Sequence, residues 1–82
     1  MSTEQEEKWA TDEISLAAFV ALKSDKEPSI EWSGTGCSFV FKKADIPMEH
    51  VLAFVSGEAT IEPRSYHMKF SALRKAMFDT RP

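Results

Sequence analysis

The stretch "SIEWSGTGCSFVFKK", Ser29–Lys43, holds two short runs of alternating residues separated by a glycine-bearing turn. Ile30 and Trp32 alternate with Glu31 and Ser33; Phe39 and Phe41 flank Val40. A period of two marks a strand, because successive side chains point to opposite faces. Two such runs joined by "SGTG" predict a β-hairpin. Its aromatic residues admit two readings. Exposed, Trp32, Phe39 and Phe41 could stack on the bases of a single strand while Lys42 and Lys43 meet phosphates. Buried, they would lay one face of the hairpin on the rest of the chain, a cover that a two-stranded hairpin needs to be stable. Each large side chain buried in this way contributes about 1.5–3 kcal/mol. A chain of 82 residues buries only about 60–65% of its unfolded surface and can hardly leave three aromatics in water. The aromatics are therefore expected in the core, and only the lysines are expected to be free to meet a partner.

On the N-terminal side, "TDEISLAAFVALKS" predicts a helix, with Thr11 or Asp12 at its N-cap and acids in its first turn. Ile14, Ala17, Ala18 and Ala21 form one stripe, which Leu16, Phe19, Val20 and Leu22 widen. Apolar residues over so much of the circumference imply a mostly buried, central helix. It should stop near Ser24, since "SDKEP" is turn chemistry and Pro28 disfavours helix at Glu27. Residues 1–8 read as an acidic mobile arm ahead of a single domain over 9–82. Thr3 and Glu6 match a capping box within the arm, and Trp9 is its first tether to the body.

On the C-terminal side, Asp45 is expected to cap a second helix with Pro47 in its first turn. Met48, Val51, Leu52 and Val55 give it an apolar stripe, and Gly57 should close it. "EATIE", residues 58–62, reads as an extended link or a third strand. Pro63 should open a last helix running to about Phe78, with Tyr66, Phe70, Leu73 and Met77 as its core stripe. The expected architecture is a small single-domain α+β fold: helix, hairpin, helix, short extended segment, helix.

Composition narrows the function classes. The single cysteine, Cys37, cannot form an internal disulfide, and no Cys/His cluster has structural-zinc spacing. No metal or cofactor is expected. The longest apolar run, "ISLAAFVAL", is far shorter than the roughly 20 residues of a membrane helix. The acidic "MSTEQEE" is unlike the basic start of a signal peptide. A cytoplasmic location follows as the expectation. The net charge of −3 hides an asymmetry. Residues 1–13 carry five carboxylates against Lys8, whereas from residue 64 onward Arg64, Lys69, Arg74, Lys75 and Arg81 face only Asp79. Solvated surfaces account for both ends; a tail folding back on the basic helix, or a different partner for each end, would be the functional reading.

The order "TDEISLAAFVALK", "FVFKK", "SGEATIEPRSY" and "ALRKAMF" resembles a small domain family of unknown function found in phage, bacterial and archaeal genomes. The resemblance covers residues 9–78. It implies an architecture and a phage or mobile-element origin, with the host cytoplasm as the compartment in that case. The family carries no established activity, so it implies no catalytic residues.

No catalytic constellation stands out. Cys37 lies within the hairpin, where a small buried thiol is the ordinary reading. "SGTG" precedes a strand rather than a helix, so it is neither a P-loop nor a dinucleotide fingerprint. A non-enzymatic accessory protein that binds another protein, or a second copy of itself, is the leading expectation. Its candidate surface is the side of the last helix opposite Tyr66: Arg64, His67, Met68, Ser71, Arg74, Lys75 and Phe78. Apolar residues set among arginines are typical of protein-binding patches, although Met68 packed on a neighbour and Phe78 at a fraying end would be an ordinary outcome. The alternative is a nucleic-acid binder with phosphate contacts at Lys42, Lys43, Arg64, Arg74 and Lys75, against which stands a calculated pI near 5.3.

Overall fold

A computed structural model describes residues 7–82. The hairpin forms as its alternation requires: β2 (Ser29–Ser33) pairs antiparallel with β3 (Gly36–Lys42), with Ile30 opposite Phe39 and Trp32 opposite Cys37. Gly34, at φ 63°, supplies the left-handed turn residue. The sheet has a third strand, β1 (Lys8–Thr11), which pairs with the other edge of β3 and gives the order β1-β3-β2. The expected order, helix first, is therefore corrected: a strand precedes the first helix. "EATIE" is not the third strand; residues 58–62 have no regular structure and connect two helices. Of the expected arm over residues 1–8, Lys8 belongs to β1, and the Glu7 carbonyl accepts a 2.9 Å bond from the Lys43 amide, continuing the ladder. The remainder, with the capping box at Thr3 and Glu6, lies outside the described residues.

One face of the sheet carries Trp9, Thr11, Ile30, Trp32, Cys37, Phe39 and Phe41, as the register dictates. Phe39 and Phe41 are buried, and the Trp9 ring lies 6.0 Å from Phe41. Trp32 is half-buried, and its indole N–H donates to Thr80 Oγ1 at 3.1 Å, tying the hairpin to the C-terminus.

The first helix, α1 (Ile14–Ser24), is the central element. Leu16 through Ala21 are all buried, as a helix with apolar residues around most of its circumference demands. Its N-cap is Glu13 rather than Thr11 or Asp12, with no side-chain capping bond; the Thr11 hydroxyl instead accepts from the Glu13 amide at 3.1 Å. Pairing with β3 holds Thr11 in the strand, so the helix begins after it. Asp25, at φ 58°, ends the helix in the left-handed region, its amide bonded to the Ala21 carbonyl.

A single 3₁₀ turn, Lys43–Asp45, leads into α2 (Met48–Ser56). Asp45 is part of that turn, and Pro47 takes the N-cap position without a side-chain bond, so the helix starts later than Asp45 would have placed it. Gly57 (φ 84°) closes α2. The last helix, α3 (Pro63–Asp79), opens at Pro63 as expected. Leu73 is buried, while Tyr66, Phe70 and Met77 pack around the core from α3. Tyr66 donates its hydroxyl to the Ser15 carbonyl of α1 at 2.9 Å, and burial pushes its ionisation up from the usual tyrosine value. Both α2 and α3 pack on α1. Among the described residues no helix is long and apolar enough to cross a membrane.

Candidate functional site

The outer side of α3 is built as the helical spacing requires. Arg64, His67, Met68, Ser71, Arg74, Lys75 and Phe78 are all exposed, opposite the Tyr66–Leu73 stripe. Met68 keeps 64% and Phe78 51% of its surface in water. These side chains engage one another rather than the core. The Arg74 guanidinium lies 5.9 Å from the Phe78 ring centroid, within cation–π range. Lys75 holds Asp79 one turn on at 3.2 Å, and Ser71 Oγ lies 3.5 Å from His67 Nε2. Such exposed pairs add little stability. Of the cations here, Arg74 is the one placed on the Phe78 ring.

Lys42 and Lys43 lie on a different element. They line a shallow cleft at the end of the sheet with Glu7 and Ala44. Lys43 sits 3.4 Å from the Glu7 carboxylate. The register also sets Lys8 directly opposite Lys42, a cross-strand arrangement that like charges normally disfavour. Lys8 was not among the sequence candidates, because its place beside Lys42 depends on a strand that the sequence reading took for an arm.

A second apolar surface was missed altogether. The expected stripe of α2 is split: Val51 is buried, but Met48, Leu52 and Val55 keep 44%, 65% and 71% of their surfaces exposed. Phe54 takes the place expected of them, stacking on Phe19 at 4.6 Å between ring centroids. Val51 and Phe54, three residues apart, define the core-facing side, which rotates the rest of the stripe into solvent. Asp45, Glu49 and Glu58 are the acids nearest this surface in the sequence, and residues 44–63 contain no lysine or arginine.

Cys37 is half-buried, near Trp32, Met77 and Phe78. Among the described residues no group of three or more His, Cys, Asp or Glu is placed to hold a metal ion.

Comparison of the chain with protein-family models, with curated proteins and with solved structures finds no match.

Proposed function

We propose that the protein is a small, non-enzymatic accessory protein that binds another protein through the outer side of α3. The observation that carries this reading is the exposure of Met68 and Phe78 among Arg64, Arg74 and Lys75. Both side chains keep more than half of their surfaces in water, and arginine, methionine and aromatics are the residue types enriched in protein interfaces. Proteins retained by the immobilised wild type and lost when Met68→Ser and Phe78→Ser are combined would support it. Identical retained sets for the two baits would remove it, because both residues are peripheral to the core.

A second reading rests on the placement of Lys8, Lys42 and Lys43 together at one end of the sheet, where the Glu7 carboxylate offsets part of their charge. Phosphate contacts there, joined by Arg64, Arg74 and Lys75, would make the protein a nucleic-acid binder. Labelled single- and double-stranded oligonucleotides titrated at about 50 and 200 mM salt test it, since binding through several phosphates weakens by orders of magnitude over that range. Absence of binding at the lower salt excludes it.

A further inference from the structure

All three arginines of the chain, Arg64, Arg74 and Arg81, lie on α3 or just past it. Residues 1–63 carry five lysines against twelve carboxylates, and residues 64–82 five cations against one. Two of the arginines stand in the same setting. Arg64 precedes Met68 by four residues and Arg74 precedes Phe78 by four, a spacing that puts each pair one turn apart on the same side of the helix. All four side chains are exposed, and in the second pair the guanidinium lies 5.9 Å from the ring centroid. Among the described residues neither arginine has a carboxylate within ion-pair distance; the cations of this helix that do are Lys69, with Glu27, and Lys75, with Asp79. Glu62, at the N-cap, turns its oxygens to the backbone amides of Ser65 and Arg64. The outer side of α3 thus carries two like stations, each an arginine one turn before an apolar side chain, ten residues and about 15 Å apart.

Resting on the reading that the outer side of α3 binds a protein, we infer the chemistry of its partner: an acidic segment with two apolar anchors, each beside a carboxylate, that meets both stations at once. A guanidinium presents a planar fork of N–H donors that matches the two oxygens of a carboxylate, which a lysine does not. In each station the anchor buries Met68 or Phe78, and the carboxylate beside it meets Arg64 or Arg74. The Phe78 ring already holds the Arg74 guanidinium, so less side-chain freedom is lost when a carboxylate docks there. Burial of apolar surface supplies the attraction, and the charges fix the kind of segment that is accepted. A nucleic acid suits this face less well. Its closely spaced phosphates favour a continuous basic track. Here the two arginines are separated by His67 and Ser71, Asp79 sits against Lys75, and the remainder of the chain repels a polyanion. With both stations exposed and solvated, the expected binding is weak and salt-sensitive.

The test is fluorescence anisotropy of labelled probes titrated with the full chain. The first probe is a peptide of about 18 residues with leucines at helical spacing and glutamates elsewhere. The second has lysine for every glutamate, the third serine for every leucine, and the fourth is a single-stranded oligonucleotide of similar charge. The first should bind at about 50 mM salt with a Kd of about 100 μM or tighter, and weaken by about tenfold or more at 500 mM. The second and third should not bind. Arg64→Glu and Arg74→Glu should each weaken the first probe by about tenfold with an unchanged far-UV spectrum, and the doubly reversed protein should take the lysine peptide instead. No binding of the first probe at low salt overturns the inference. So does equal binding of the lysine or serine peptide, or tighter binding of the oligonucleotide. If the inference fails in this way while Met68→Ser with Phe78→Ser still changes the set of retained proteins, the protein-binding reading stands and the partner is not acidic.

Discussion

Glu62 stands at the N-cap of α3, a position that more often holds a shorter polar side chain. Its two carboxylate oxygens accept from the amides of Ser65 at 2.8 Å and Arg64 at 3.3 Å, two of the amide donors that the first turn of a helix leaves without partners. The Ser65 side-chain hydrogen bond, followed by these two amides, holds the carboxyl below its ordinary value of 4.5. A depressed value means that the folded state prefers the ionised form. The contribution is then complete above about pH 4.5 and is lost as pH falls through the lowered value. Glu62→Ala should therefore lower Tm at pH 7 by more than it does at pH 3. A thermal scan of both proteins across that range checks this, and a pH-independent difference would mean that the cap acts without its charge. Glu62 was legible only as the residue before Pro63; its capping role needed the backbone geometry.

At the scale of the element, α2 shows what an amphipathic pattern leaves open. Met48, Val51, Leu52 and Val55 on one side, and Val51 and Phe54 on another, are overlapping apolar arcs of a single short helix. Which arc is buried depends on a ring supplied from elsewhere: Phe19 of α1 stacks on Phe54 and rotates α2 to suit. Val51→Ala should therefore cost about 1.5 kcal/mol or more, as the loss of a buried branched side chain does. Val55→Ala should stay within about 0.5 kcal/mol, as ordinary surface changes do. Urea unfolding midpoints distinguish the two, and equal losses would mean that the helix is rotated the other way. The central helix was more readable than α2. Where a helix is apolar around most of its circumference, as from Leu16 to Ala21, no choice of face arises and the pattern alone requires burial. The stripe on α3 was also clear, because seventeen residues repeat the spacing often enough to leave one arc.

For the molecule as a whole, the hairpin, the central helix and the closing helix could be read from the chain, but the closure of the sheet could not. β1 spans only Lys8 to Thr11, too short for alternation to separate it from an arm. It is a strand because β3 offers Val40 and Phe41 as partners to Ala10 and Trp9, and a non-local partner leaves no local signature. Removing residues 1–11 should strip one edge of β3 and uncover Phe41 beside it. The expected results are a broadened, less cooperative unfolding transition and a tendency to aggregate, measured by calorimetry and light scattering; a sharp transition near the wild-type Tm would show that the strand is dispensable. The strand order has a further consequence for a chain emerging from the ribosome. Its first strand must wait through α1, β2 and most of β3 before a partner exists. Once β3 is made, the β2–β3 hairpin closes locally, whereas β1 must return across α1 and β2, and until it does β3 presents its other edge to any extended segment nearby. The last step of sheet assembly is then the return of β1, and a bulky fusion placed just ahead of Lys8 should slow folding more than one placed after Pro82.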